Sequence, residues 1–147
     1  PRPTSRYLPT NKVHWALCAG RVSRLSHDMM DYSFSLCGRD CPMMDQVIAN
    51  IAAPRQYCTE HHILVYYTAQ PKEQSDEERA LLNDMWGPGL TRSPAQQKVV
   101  EALTPDDAAT VLVKCRYTPF HRPPLEQMLK DTRRNKLNIP RVFHAIG

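Results

Sequence analysis

Residues 12–37, KVHWALCAGRVSRLSHDMMDYSFSLC, carry Trp15, Cys18, Val22, Leu25, Met29, Tyr32 and Leu36 at alternating spacings of three and four. That periodicity predicts one face of a long helix. Arg21, Arg24, Asp28 and Asp31 fall off the stripe, as solvated positions of such a helix would. Gly38 suits its end, because glycine tolerates the left-handed backbone that closes helices. A second helix is predicted over 42–53, with Pro42 at its first position, Met44, Val47, Ile48 and Ile51 on its apolar face and Pro54 as its stop. Two helices about the turn Gly38-Arg39-Asp40 make an antiparallel hairpin.

Outside the hairpin, proline punctuates the chain. The 147 residues hold 13 prolines and only 5 glycines. So little glycine argues against β-sandwiches and barrels with many turns, and against phosphate-cradling loops. Pro1, Pro3 and Pro9 predict an extended arm over 1–11. Ser75 and Glu78 form a capping box ahead of Leu81, Leu82, Met85 and Trp86. Ser93-Pro94 and Thr104-Pro105-Asp106-Asp107 read as two further helix starts, the second running through Leu112 and Cys115, and Pro123-Pro124 precedes a last helix with Leu125, Met128 and Leu129. Residues 61–68, HHILVYYT, are rich in β-branched and aromatic side chains, but a lone strand lacks a partner, so a buried helix or extended segment is preferred over 55–69. The expectation is therefore an all-α chain: arm 1–11, long helical hairpin 12–69, bundle of short helices 70–140 and tail 141–147.

Four of the five cysteines are nested about the hairpin turn. Cys37 faces Cys41 and Cys18 faces Cys58, the arrangement two disulfides would need. The nesting is similar in geometry to the coiled-coil-helix-coiled-coil-helix proteins of the mitochondrial intermembrane space, although the intervals of 18 and 16 residues depart from that family's pattern. A second reading is a zinc site: Cys37, Cys41, Cys58 and His61 supply one tetrahedral Cys3His ligand set. A third leaves all the thiols reduced and buried, with no cofactor, and Cys115 is read as core. His14, His27, His121 and His144 stand isolated and read as surface or hydrogen-bonded residues.

The net charge is +4, unevenly spread. Residues 1–70 hold seven basic and five acidic residues, 71–110 four and eight, and 111–147 eight and two. Arg122, Lys130, Arg133, Arg134 and Lys136 crowd the C-terminal end, where they could contact nucleic acid or an acidic partner. No acid precedes Asp28, while Arg2, Arg6, Lys12, Arg21 and Arg24 do, a composition like the end of an organellar transit sequence. No run approaches the roughly 18 apolar residues of a membrane span. Nor is there a Walker loop, dinucleotide fingerprint, nucleophile elbow or HExxH motif.

These observations together predict a non-catalytic accessory subunit. It would be mitochondrial, soluble or peripheral to a respiratory or ATP-synthase assembly, with other protein subunits as partners and no transmembrane segment of its own. A mitoribosomal or other nucleic-acid-contacting protein is the first alternative, and a small zinc-stabilised adaptor the second.

Overall fold

A computed structural model describes residues 10, 12–14, 16–35, 42–115, 118–121 and 124–141. Its centre is a four-stranded sheet in the order β3-β2-β1-β4, with every neighbouring pair parallel. The strands are β1 (Val22–Ser26), β2 (Leu64–Ala69), β3 (Thr110–Val113) and β4 (Lys136–Asn138). The helices are α1 (Asp31–Ser35), α2 (Pro42–Glu60), α3 (Asp76–Arg79), α4 (Leu82–Trp86) and α5 (Leu125–Asp131). Three 3₁₀ turns, Gly89–Arg92, Pro94–Gln97 and Glu101–Leu103, lie between α4 and β3. The fold is α/β, which corrects the all-α expectation.

The error starts at residues 22–26. All five residues of β1 are buried, Arg24 and two serines included. A parallel strand covered on both faces shows no inside–outside alternation, because neither face meets water. Val22 and Leu25 therefore fell into step with Met29 and Tyr32 beyond the strand, and a strand followed by a short helix imitated one long helix. The predicted hairpin loses its first arm. Its second arm is longer than expected, since α2 continues through Pro54 to Glu60.

The same misreading affected both other long strands. β2 falls in the ambiguous segment 55–69, and its partners are β1 and β3, both read as helix. β3 occupies the helix expected after Thr104, and β4 the end of the last one. Short elements with strong local chemistry match the expectation better. Ser75 caps α3, accepting from the Glu78 N–H while the Glu78 side chain accepts from the Ser75 N–H. Pro124 precedes α5.

Side-chain alternation gives the sheet two faces. Leu25, Tyr66 and Leu112 form one, packed with Leu125, Met128 and Leu129 of α5. On the other, Arg24 donates from Nη2 to the Ile51 carbonyl of α2. Burial shifts the Arg24 guanidinium down and the Cys58 thiol beneath α2 up, with each charge partly offsetting the other's shift. A second cluster, Met29, Ile51, Val100 and Leu103, joins the start of α1 to α2 and the last 3₁₀ turn.

Leu25 is 1% exposed at the centre of the α5-side core. Leu25→Ala is expected to lower unfolding free energy by about 2–5 kcal/mol in urea denaturation, as buried leucine truncations do. Val111→Ala, on a side chain 47% exposed at the β3 edge, should change it by only about 0.5 kcal/mol. Equal losses would contradict this layering.

Candidate active site

The strand order itself locates a crevice. From β1 the chain moves outward through β2 to β3, then returns to the other side of β1 as β4. At such a reversal, the connections leaving the carboxyl ends of the strands diverge, and ligands bind in the gap. The carboxyl end of β1 runs directly into His27 and Asp28. His27 remains in the sheet through a bridge to Arg141 and donates its backbone N–H to the Pro140 carbonyl at 3.1 Å. Asp28 then turns out of the sheet with φ 53°, a left-handed conformation that aspartate tolerates better than most residues.

Four side chains converge there. Lys114 Nζ donates to Asp28 Oδ2 at 2.9 Å. The Asp28 backbone N–H donates to Thr68 Oγ1 at 3.1 Å, and that hydroxyl lies 3.3 Å from Asp28 Oδ1 and 3.0 Å from His27 Nδ1. His27 Nε2 is 3.4 Å from Asp28 Oδ2. Strand register explains the meeting. Positions 23, 25 and 27 of the first strand, 64, 66 and 68 of the second, and 110, 112 and 114 of the third share the α5 face by alternation. The last member of each series extends the apolar layer of Leu25, Tyr66 and Leu112 into a polar rim.

Lys114 is only 2% exposed in its side chain, whereas Asp28 is 18% exposed. A buried ammonium is retained only with a partner that offsets its desolvation. The acid thus neutralises the lysine from below the opening while keeping an edge towards solvent. Burial pulls the His27 imidazole below its ordinary range; Asp28 opposes that shift, and Lys114 and Arg141 reinforce it. Gln70 follows β2 at the same end of the sheet, and its Oε1 is buried without a hydrogen-bond partner among the described residues.

A second buried cation braces the flank. Arg79 donates from Nε to Asn83 Oδ1 at 2.9 Å, from Nη1 to Gln74 Oε1 at 3.2 Å and from Nη2 to the Gly87 carbonyl at 2.6 Å. Gly89, at φ 59°, lies so close that a Cβ there would overlap the guanidinium.

Among the described residues, the site residues expected from the sequence are not part of the four converging side chains. Cys18 is exposed ahead of β1, Cys58 is buried on α2, and both are free thiols. Their pairing presupposed a hairpin whose first arm is instead a strand. Cys37, Cys41 and Arg122 lie outside the described residues. His61 stacks on Tyr57 with ring centroids 4.0 Å apart, and no group of three or more His, Cys, Asp or Glu residues suited to a metal occurs among the described residues. The basic cluster is dispersed. Lys130 pairs with Glu126 on α5, and Arg133 takes a positive φ just beyond that helix. Arg134 donates to the Ala19 and Val22 carbonyls, and Lys136 to the Ala16 carbonyl at 2.5 Å. The last two thus tie down the segment entering β1.

Sequence reasoning missed the acid and its lysine. Asp28 was taken for a solvated helix position and Lys114 received no role. They are 86 positions apart, so no local motif joins them. A usable signal would have been the runs VSRLSHD and TVLVK read as buried strands ending in charge.

Residues 25–139, which hold this parallel sheet and the acid–lysine pair at its switch point, match the isochorismatase domain. The chain belongs to the isochorismatase family. It is 66% identical over 145 residues to enterobactin synthase component B of Escherichia coli (strain K12), covering 99% of this chain and 51% of that protein. It is 38% identical over 147 residues to a probable isochorismatase of Pseudomonas chlororaphis, covering 99% of this chain and 69% of that protein. It thus spans about half the length of the enterobactin synthase relative. Among solved structures, a cysteine hydrolase from Pseudomonas syringae pv. phaseolicola 1448A superposes with a TM-score of 0.73 at 18% identity, covering 86% of this chain and 62% of that one. An N-carbamoylsarcosine amidase from Thermoplasma acidophilum does so with a TM-score of 0.67 at 15% identity, covering 81% and 66%. These two likenesses carry the fold alone.

Membership of a hydrolase family overturns the reading as a non-catalytic structural subunit. The relatives named are bacterial, which overturns the mitochondrial placement and the respiratory or ATP-synthase assembly. The acid-free basic start is a compositional feature that ordinary chains share. No helix among the described residues is long and apolar enough to cross a membrane.

The depressed His27 value has a consequence for stability. Between the folded value and the ordinary value of 6.5, the unfolded chain binds more protons than the folded one, so stability rises with pH through that window and levels above it. Urea midpoints measured from pH 7.5 downward should therefore fall less steeply for His27→Gln than for the unsubstituted chain. Parallel curves would contradict a buried neutral His27.

Proposed function

We propose that this chain is an isochorismatase-type hydrolase in which Asp28 is the proton donor to an enol ether. The observation that carries this reading is the single carboxyl group set at the switch point, with Lys114 on one of its oxygens and an edge open to solvent. Relatives bearing the name isochorismatase support it. Isochorismate carries an enolpyruvyl ether on a cyclohexadiene ring. Protonation of the ether's terminal methylene carbon gives an oxocarbenium ion, water adds to that cation, and the resulting hemiketal collapses to pyruvate and the ring alcohol. One water is consumed, and the proton released when it adds restores the acid.

Each group has a part in that sequence. Asp28 supplies the proton, and the carboxylate it leaves is stabilised by the Lys114 ammonium, a fixed charge needing no reorganisation during the step. Gln70 Oε1 offers an acceptor to a substrate hydroxyl. As enterobactin synthase component B is by name one part of a synthase, protein partners in such a biosynthetic assembly belong to the same proposal.

The test is incubation of the purified chain with isochorismate in D2O. Pyruvate should form faster than in the protein-free control and carry one solvent deuterium in its methyl group. Asp28→Asn should lower kcat by about 10²–10⁴-fold, the usual range for loss of a general acid. Pyruvate formation no faster than the control, or an Asp28→Asn variant of full activity, would overturn the proposal.

A further inference from the structure

We propose that His27 and Thr68 form a positioning pair that directs the transferable proton to one oxygen of Asp28, Oδ1. The inference rests on the reading of Asp28 as proton donor. It starts from the hydrogen-bonding capacity of one hydroxyl. Thr68 Oγ1 has a single proton and two acceptor lone pairs. One lone pair takes the Asp28 backbone N–H at 3.1 Å. The proton has two possible acceptors, His27 Nδ1 at 3.0 Å and Asp28 Oδ1 at 3.3 Å, and it can serve only one of them well.

Distance decides between them. Hydroxyl–oxygen hydrogen bonds run about 2.5–3.0 Å, so 3.3 Å to Oδ1 is long. Distance alone leaves open a ring Nδ1–H donating to the hydroxyl, but that tautomer would set the Nε2 lone pair against Asp28 Oδ2; the ring proton is therefore assigned to Nε2, and the hydroxyl donates to His27 Nδ1. A neutral imidazole that accepts at Nδ1 carries its proton on Nε2, and Nε2 faces Asp28 Oδ2 at 3.4 Å. Burial keeps this ring in its neutral form near pH 7.

The two carboxyl oxygens are then unequal. Oδ2 receives the Lys114 ammonium at 2.9 Å and faces the His27 Nε2–H. Oδ1 faces a hydroxyl whose proton is committed elsewhere. A proton on Oδ2 would meet the ammonium at 2.9 Å and the Nε2–H at a longer 3.4 Å, whereas a proton on Oδ1 can turn to the remaining lone pair of Thr68. Oδ1 is thus the oxygen that carries the proton, and after transfer to the substrate carbon the charge left on the carboxylate is held through Oδ2. His27 and Thr68 touch no substrate in this scheme. They act on Asp28 alone, through the backbone N–H, the hydroxyl proton and the ring tautomer.

Nitrogen NMR of the 15N-labelled full chain tests the pair without reference to activity. The chain has six histidines, and comparison with His27→Gln assigns the His27 ring. A neutral ring protonated on Nε2 is expected, with that preference retained in Thr68→Ser and reduced in Thr68→Val. Kinetics with isochorismate supply the second readout. Thr68→Val and His27→Leu should each lower kcat by about 10–100-fold with KM changed less than about threefold, since misplacing a catalytic group costs up to about 10². Thr68→Ser and His27→Gln should recover most of that loss. The double variant His27→Leu/Thr68→Val should lose about as much as either single one, as residues acting as a unit do. A ring protonated on Nδ1, or losses that multiply independently, overturns the pair. Absence of isochorismate hydrolysis in the unsubstituted chain would defeat the proposed function instead, and the NMR result would still decide the tautomer.

Discussion

The parallel pairing of β1 on both of its edges is the constraint from which the site follows. β1 holds β2 on one side and β4 on the other, so its end cannot shift without breaking two ladders. Side-chain direction alternates along each strand, and a register change of one residue would exchange the two faces. The present register places His27 beside Thr68 on the α5 face and brings Lys114, one pleat further along β3, over Asp28. The apolar layer of Leu25, Tyr66, Leu112 and Leu125 beneath them makes any other register costly, since it would expose buried side chains.

Among the described residues, Arg24, Arg79 and Lys114 are buried cations, and they are held in different ways. Arg24 reaches a main-chain carbonyl of α2, and Arg79 spends its donors on Gln74, Asn83 and the Gly87 carbonyl. Both are held largely by neutral dipoles, which suits a guanidinium with several donors in a fixed fork. Lys114 differs: its compact ammonium meets a carboxylate that is itself partly exposed. Replacing such a pair by apolar residues can leave stability unchanged, whereas removing one member strands the other. The pair is therefore poor evidence for a stability role and better evidence for a site where charge is required.

Legibility in the sequence followed the range of the interactions. The Ser75–Glu78 capping box and the proline ahead of α5 were readable because both partners lie within one turn of chain. Helix α2 was readable in its first half from Met44, Val47, Ile48 and Ile51, but Pro54 does not end it. The strands were not readable. In β1, Ser23, Arg24 and Ser26 are buried by neighbours 27 or more positions away, and a serine or arginine in a local window looks like a surface residue. Once β1 was taken for helix, HHILVYYT lost its partner and was discounted, although its composition was right. The residues of the candidate site are illegible for the same reason. His27 reads from sequence as either a surface or a hydrogen-bonded residue; its partner Thr68 lies 41 positions on, and Asp28 meets Lys114 only across three strands.

Fold and chemistry separate cleanly at this site. Structures named as a cysteine hydrolase and an amidase share the sheet at 15–18% identity, and a common sheet does not impose a common reaction. Thiol-dependent amide hydrolysis needs a nucleophile to attack a carbonyl carbon. Proton transfer to an enol ether needs an acid with one oxygen free to hold the proton and a fixed charge to receive what remains. The groups facing the Asp28 carboxyl are an ammonium, an imidazole and a hydroxyl. Each of them controls a proton or a charge at the carboxyl group. Under the proposed function, such a set serves Asp28 as the group that holds and gives the proton.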